Sequence, residues 1–416
     1  MDLNEHLFRH ESSRMVAALT RIFGVHNLAL AEDVVQDAFC RALEVWKVRG
    51  VPENPSAWLM LTAKNRAIDI VRRERTARTF APELGRALDA EWAIASVVDE
   101  AFAAHTIRDG QLRMMFSCCH PQLKEEVQVA LVLNILCGFG AHEVASAFLA
   151  GRAAIEKRIA RGKKTLAGAK RLFDLADDEF IARLSAVRRA LYLLFNEGYH
   201  GASAESAVRV ELCREAIRLT LLLLDYPPAA TPETHALAAL MCLHAARLPA
   251  RVDASGDLNP LLDQDRSRWD AELTAQGLAY LDRSATGRDL TAYHVEAGIA
   301  ATHAAAPSVA DTDWSSIVWL YDRLMAIAGS PIVALNRAIA IGERDGPARG
   351  LEELRAIADR DRLDRYPFYP AAMGELELRR GNRDAAREHF SAALALARNP
   401  NERRFLTKRL DTCKLS

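Results

Sequence analysis

The segment from residue 125 to 167 restricts the possible folds of this chain more than any other segment. It contains three short amphipathic helical patterns, and the breaks between them, CGFG and LAGR, contain glycine. Each pattern gathers its apolar residues on one face, as the helical period requires. These residues are Val127, Ala130 and Leu131 in the first, Val144, Ala145, Phe148 and Leu149 in the second, and Ile155, Ile159 and Leu166 in the third. The spacing of the three patterns predicts a helix-turn-helix.

The outward face of the third pattern is strongly basic. Residues 152–171 hold eight Lys or Arg and a single acidic residue, Glu156. We expect this helix to enter the DNA major groove, because helix-turn-helix proteins bind DNA in this way. The predicted contacts are Arg152, Glu156, Lys157, Arg158, Arg161 and Lys164, and Lys163 should also point outward. A small helical bundle with a basic surface is the alternative interpretation.

A second basic helix is predicted in the first hundred residues, around NRAIDIVRRERTAR (65–78). Its thin apolar stripe consists of Met60, Ala63, Ala67, Ile70 and Val71, and its polar face combines arginines with Asn65 and Asp69. Arginines bind phosphates, polar side chains reach base edges, and Trp58 just upstream is suited to stack on an unpaired base. The predicted DNA contacts are Trp58, Lys64, Asn65, Arg66, Asp69, Arg72, Arg73 and Arg75. The alternative is a solvated surface helix with its own ion pairs.

A third amphipathic helix is predicted at LALAEDVVQDAFCRALEVW (28–46). Its buried stripe should consist of Ala31, Val34, Val35, Ala38, Ala42 and Trp46. Asp33, Gln36 and Asp37 are left on the outer face. Taken alone, this pattern is typical of an ordinary surface helix.

Composition favours an all-α protein. The residues are 50% hydrophobic, with Ala and Leu dominant, and the strand-forming residues are not clustered. The formal net charge is only −1, but an acidic, Ala-rich stretch from 81 to 106 separates the two basic helices. No apolar run is long enough to span a membrane and no signal peptide is present, which predicts a cytoplasmic protein with no membrane partner. The seven cysteines lack regular spacing, which favours reduced thiols.

The C-terminal part of the sequence suggests repetition. LNRAIAIGERDGPARGLEEL (335–354) aligns with AAMGELELRRGNRDAAREHF (371–390) at an offset of 36 residues. Each copy is predicted to form a helix, a polar turn and a second helix, as a tetratricopeptide unit does. We therefore expect a helical solenoid, whose concave face would suit a peptide.

Together, the first three segments resemble a bacterial sigma factor of the extracytoplasmic-function group, in the sigma-70 family. AEDVVQDAFCRALEVW resembles the helix that binds core RNA polymerase, which implies contacts from Asp33, Gln36, Asp37, Phe39 and Leu43. PSAWLMLTAKNRAIDIVRRER resembles the helix that melts the promoter and recognises the −10 element, and the helix-turn-helix resembles the domain that recognises the −35 element. The sequence differs from the usual pattern of the family at Glu156 and Lys157, so the −35 sequences known for the family cannot be assigned to this protein.

The resemblance extends to one subgroup through FSCCHPQL (116–123), LYLLFNEGYHGAS (191–203) and VDASGDLNPLLDQDRSRWD (252–270). It implies region 2 at 1–80, an acidic linker at 81–106, region 4 at 107–172 and a regulatory tetratricopeptide-like domain at 178–416. Core RNA polymerase and promoter DNA are the implied partners, with a small YCII-related (DGPF) protein or a peptide at the C-terminal domain. The resemblance implies no enzymatic activity, no cofactor and no metal. The competing interpretation is a stand-alone helix-turn-helix regulator with a helical sensor domain.

Two further groups of residues invite a chemical role. Cys118, Cys119 and His120 suggest zinc, but vicinal cysteines rarely ligate the same ion, and we expect a packed helix end. Asn196, Glu197, Tyr199 and His200 form a polar cluster, as do several Asp and Arg residues around Trp269. No nucleophile or phosphate-loop motif accompanies them, so we expect hydrogen bonds and ion pairs between helices, with a ligand pocket or an enzymatic site as the alternatives.

Overall fold

The protein is all-α, as the composition predicts. The computed structural model describes most of the chain, and in this part it contains helices and no β-strand. The described residues are 3–24, 27–73, 100–147, 151–168, 177–200, 208–253, 257, 259–397 and 400–414. Among them, no helix is long and apolar enough to cross a membrane. The chain divides into two compact units, Met1–Leu194 and Phe195–Ser416.

Eight helices are described that begin in the first unit. They are α1 (Leu3–Phe23), α2 (Leu28–Arg49), α3 (Pro55–Arg73), α4 (Ala104–Cys118), α5 (Glu125–Leu131), α6 (Ala141–Ala147), α7 (Arg152–Gly168) and α8 (Asp177–His200). The last of these contains the point at which the two units divide. Of the acidic stretch predicted at 81–106, residues 81–99 lie outside the described part of the chain.

Helix α2 buries the stripe that its sequence predicts. All six predicted positions are buried, from Ala31 to Trp46, and Leu28 joins them. Helix α3 buries Ala63, Ala67 and Val71 of its predicted stripe, whereas Met60 and Ile70 are half-buried. Asn54 caps the start of α3, since its side-chain oxygen accepts a hydrogen bond from the backbone N–H of Ala57 at 2.9 Å. The cap and the buried stripes fix which faces of α2 and α3 point outward.

Helix α4 packs directly against α1. The close approach occurs at Gly110, where an added Cβ would lie 3.4 Å from the Cβ of Ala17. Beside it, the amide of Gln111 donates a hydrogen bond to the hydroxyl of Ser13 at 2.9 Å, and both residues are buried. The segment that leads into the helix-turn-helix therefore belongs to the same compact unit as the N-terminal helices.

The helix-turn-helix prediction agrees with helices α5, α6 and α7. Buried positions include Ala130 and Leu131 on α5, Val144 and Ala145 on α6, and Ile155, Ile159 and Leu166 on α7. Phe148 and Leu149 lie outside the described residues. After α5 the chain continues as a wider π-helical turn, Val132–Leu136. Gly138 then takes a positive φ of 66°, and the amide of Asn134 donates to the carbonyl of Phe139 at 2.8 Å. This geometry turns the chain toward α6.

The second unit continues with eleven further helices in its described residues. They are α9 (Val210–Leu224), α10 (Pro232–Ala245), α11 (Leu248–Arg251), α12 (Ala271–Ser284), α13 (Ala292–Ala305), α14 (Trp314–Ala328), α15 (Pro331–Asp345), α16 (Pro347–Arg355), α17 (Phe368–Arg379), α18 (Arg383–Ala395) and α19 (Pro400–Thr412). Several are capped by the residue that precedes them, as when Asp270 accepts from the N–H of Leu273 at 2.9 Å.

The two segments aligned at an offset of 36 residues form two helical hairpins, α15–α16 and α17–α18. An ion pair joins Glu343 of the first hairpin to Arg379 of the second, at equivalent positions of the two copies. Within the second hairpin, Gly374 allows close packing, because an added Cβ would lie 3.0 Å from the ring of Phe390. The predicted pattern of helix, turn and helix is therefore present in both copies.

Candidate nucleic-acid interface

A groove between α2 and α3 brings together many of the predicted functional residues. Its volume is about 430 Å³. The lining residues come from both helices and are Asp37, Ala38, Arg41, Trp58, Leu61, Thr62, Asn65, Arg66 and Asp69. Four of these were not among the predicted contacts, because the pattern of one helix does not indicate which neighbouring helix completes a groove; they are Ala38, Arg41, Leu61 and Thr62.

The apolar wall of the groove rests on a line of aromatic rings. Trp58 meets the buried Trp46 edge to face, with ring centroids 5.5 Å apart. Phe8 lies 5.7 Å from Trp46 and stacks on Phe39 at 4.8 Å. These contacts hold Trp58 in place while leaving it half-buried at the groove, so an aromatic surface is available to a flat ligand.

The polar wall of the groove contains both signs of charge. Arg66 of α3 pairs with Asp37 of α2 at 3.3 Å, and their side chains are 43% and 60% exposed. An ion pair this exposed contributes at most about 1 kcal/mol. A phosphate can therefore replace Asp37 as the partner of Arg66 at low energetic cost. Asn65 and Asp69 are exposed along the same groove.

The residues predicted to bind polymerase occupy two different environments on α2. Asp33, Gln36 and Asp37 are exposed, and Leu43 is 57% exposed although it is apolar. Phe39 is half-buried because it stacks on Phe8. The structure therefore places four of the five on the surface and brings Asp37 into the groove as well.

The remaining predicted contacts on α3 are less completely described. Lys64 is half-buried. Arg72 and Arg73 lie in the last turn of α3, but their side chains are not among those described, and Arg75 lies beyond the described residues.

Helix α7 presents its predicted contacts in two groups. Lys157, Arg161 and Lys164 are exposed on one face and have no ion-pair partner among the described residues. The other three are paired: Arg152 with Glu156 at 2.7 Å, and Arg158 with Glu126 at 3.3 Å. Because the guanidinium of Arg152 pairs with the carboxylate of Glu156, the repulsion between this carboxylate and an approaching phosphate is reduced.

The prediction that Lys163 points outward is wrong. Its ammonium group bonds the carboxylate of Glu32 on α2 at 2.6 Å, and the two side chains are 26% and 30% exposed. The reason is that Glu32 of α2 lies beside this part of α7, which the helical period of α7 alone does not indicate. The neighbouring Gly162 instead allows close packing of α7 on α5, because an added Cβ would lie 2.8 Å from the side chain of Leu131.

The Cys118–His120 cluster is a packed helix end. Helix α4 ends at Cys118, and both cysteines are buried. Burial raises the pKa of the Cys118 thiol well above its usual value and that of Cys119 to about 12. Both are therefore neutral thiols at neutral pH, whereas metals bind thiolates. In the described residues, no group of three or more His, Cys, Asp or Glu side chains is arranged to hold a metal ion.

The acidic residues before Trp269 are held by the last helix of the second unit. Lys408 bonds Asp257 at 2.7 Å and lies 3.5 Å from Asp253, and Arg404 also bonds Asp257. Hydrogen bonds from Lys408 and Arg404 keep the pKa of the Asp257 carboxyl below its usual value. These ion pairs agree with the expected role in helix packing.

Three comparisons with known proteins bear on these observations. Residues 7–77 match the model of Sigma-70 region 2. Residues 183–285 match a family of unknown function, DUF6596. The chain is 39% identical over 399 residues to the uncharacterized protein R00370 of Rhizobium meliloti (strain 1021), across 95% of this chain and 92% of that protein.

Proposed function

The chain belongs to the family of the Rhizobium meliloti protein R00370 and carries a sigma-70 region 2, and we propose that it is an alternative sigma factor of the extracytoplasmic-function type. The match to region 2 supports association with RNA polymerase and promoter DNA. The proposal adds that it recognises −10 and −35 elements and initiates transcription. The observation that carries it is the groove of α2 and α3, inside the region 2 match, where Trp58, Asn65 and Arg66 meet.

The groove is suited to a base from a melted strand. Trp58 offers a ring for stacking, and stacking on an aromatic side chain stabilises single-stranded DNA by about 1–3 kcal/mol per base. Asn65 and Asp69 supply hydrogen-bonding groups for a base edge, while Arg66 and Arg41 attract the backbone. Binding an extruded base here would stabilise the open strand relative to the duplex.

Helix α7 is proposed to recognise the −35 element. Lys157, Arg161 and Lys164 form its exposed basic face and would contact phosphates or guanines. Glu156, held by Arg152, is available to accept a hydrogen bond from a cytosine amino group.

Helix α2 is proposed as the polymerase-binding surface. Asp33, Gln36, Asp37 and Leu43 are exposed on it, and an apolar side chain amid charged ones suits a protein partner. The acidic stretch 81–106 would follow a basic channel of the polymerase.

The chain is proposed to contain region 2 at 1–80, the linker at 81–106, region 4 at 107–172 and a regulatory tetratricopeptide-like domain at 178–416. The repeated helical hairpins, with Glu343 and Arg379 at equivalent positions, support the last assignment. The partner of this domain would be a small YCII-related protein or a peptide that governs the activity of the sigma factor.

The test is transcription of bacterial genomic DNA by core RNA polymerase with and without this protein, followed by sequencing of the new 5′ ends. We expect new ends that share sequence elements near −10 and −35 and that require both components. Unchanged 5′ ends, together with specific duplex binding by the protein alone, would instead favour the stand-alone regulator.

A further inference from the structure

Arg247, between α10 and α11 in the second unit, is a buried cation that pairs with no carboxylate among the described residues. Its side chain is only 6% exposed. Its Nε donates to the amide oxygen of Gln264 at 3.4 Å. Its terminal nitrogens have no hydrogen-bond partner, and no ion pair joins it to a carboxylate, in the described part of the chain. A guanidinium carries five N–H donors, and a buried charge without a partner is strongly unfavourable.

A second arginine lies against the same aromatic ring. The guanidinium carbon of Arg247 is 5.5 Å from the ring centroid of Trp269, and that of Arg266 is 5.3 Å from it. Arg266 is held in place by the carbonyls of His303 and Ala306, at 2.9 and 2.8 Å. Its Nη2 donates to Thr312 at 2.9 Å. Because like charges repel, two cations on one indole are stable only when something offsets that repulsion.

Three polar atoms of this cluster are buried and have no hydrogen-bond partner among the residues that the structure describes. They are Nε of Arg266, Nε1 of Trp269 and Nδ1 of His303. Burial and the fields of Arg247 and Arg266 lower the pKa of His303 to about 3. The imidazole is therefore neutral at physiological pH and able to carry its proton on Nδ1 as a donor. Buried polar atoms are nearly always satisfied, so several orphaned donors together indicate a missing acceptor.

We propose that Arg247, Arg266, Trp269 and His303 form a binding site for the oxyanion group, a carboxylate or a phosphate, of a small molecule. The arginine fork matches the geometry of both groups, and the indole N–H adds a further donor. A bound oxyanion would offset the repulsion between the two guanidinium groups and satisfy the orphaned donors. This proposal does not depend on the proposed function, because it is tested on the protein alone, without polymerase or promoter DNA.

The test is a thermal-unfolding titration of the full-length protein with inorganic phosphate and, separately, with succinate, at constant ionic strength set by sodium chloride. We expect a saturable rise in Tm with at least one of the two anions. The comparison of the two titrations identifies whether a phosphate or a carboxylate is preferred. A response to neither anion would overturn the proposal.

Variants separate the site from general anion effects. Arg247→Met should weaken binding at least tenfold. Trp269→Phe, which keeps a ring and loses the N–H, should weaken it several-fold and serves if Arg247→Met does not fold. Arg387→Met removes an exposed arginine of α18 and should bind like the wild type. Two results would contradict the assigned site. One is equal anion binding by the wild type and Trp269→Phe, and the other is a loss of anion binding in Arg387→Met as large as that in Arg247→Met.

Discussion

The ion pair between Lys163 and Glu32 should oppose promoter binding by the free protein. The pair joins α7, proposed to contact the −35 element, to α2 in the compact first unit. Yet elements at −35 and −10 are about 25 base pairs apart, which is about 85 Å of B-DNA. In a complex with core polymerase that binds both elements, the helices proposed to contact them must be separated. The Lys163–Glu32 pair therefore has to break when the protein binds core polymerase.

The size of the effect follows from the burial of the pair. Exposed ion pairs contribute about 0.2–1 kcal/mol, and breaking a buried pair costs about 3–5 kcal/mol. With side chains 26% and 30% exposed, Lys163–Glu32 falls between these classes, and we assign it about 1–2 kcal/mol. This corresponds to a factor of about 5–30 in the equilibrium between closed and separated forms.

The perturbation is Lys163→Gln, and the assay is the dissociation constant for core RNA polymerase without DNA. Because apparent affinity scales with the fraction of competent molecules, Lys163→Gln should bind about 5- to 30-fold more tightly than the wild type. Lys164→Gln, an exposed neighbour, is the matched control and should not differ from the wild type. Unchanged or weaker binding by Lys163→Gln would refute the reasoning.

Three further predictions concern the groove, the basic face of α7 and the second unit. Trp58→Leu should reduce promoter opening, measured by permanganate reactivity, about tenfold with core binding unchanged, whereas the exposed Trp319→Leu should have no effect. Arg161→Ala should lower the salt-dependence slope of −35 duplex binding by about 1, while Arg152→Ala, already paired with Glu156, should change it less. Burial raises the pKa of Glu197 from 4.5 to about 7. The folded state therefore holds this proton more tightly than the unfolded state does, so the free energy of unfolding falls as pH rises from about 4.5 to 7. At pH 8, Glu197→Gln should therefore increase the free energy of unfolding by up to about 3 kcal/mol and raise Tm. At pH 4.5 it should change neither quantity, and equal shifts in Tm at the two pH values would contradict this prediction.

Sequence patterns predicted the helices and their buried faces well. The stripe on α2 was correct at all six positions because one amphipathic helix carries its own period. The helix-turn-helix was recognisable for the same reason. The helical hairpins of the second unit were found through their offset of 36 residues, which is also a local signal.

Contacts between helices were harder to predict. The sequence assigned Asp37 and Arg66 to different partners, whereas the fold pairs them across the groove. Lys163 was expected in solvent because the helical period alone does not place α2 beside α7. Arg247 was not among the predicted site residues, although a single arginine in the largely apolar run LHAARLPA indicates a buried cation. Each of these depends on which helices become neighbours, which is tertiary information.

The most direct test of the central claim is co-elution of the full-length protein with purified bacterial core RNA polymerase. The wild type should bind, and a triple variant, Asp33→Ala/Gln36→Ala/Asp37→Ala, should not, because it removes the exposed polar face of α2. Glu53→Ala, an exposed acidic residue between α2 and α3, should bind like the wild type. Equal binding by the wild type and the triple variant, or no binding by the Lys163→Gln variant, would contradict the account.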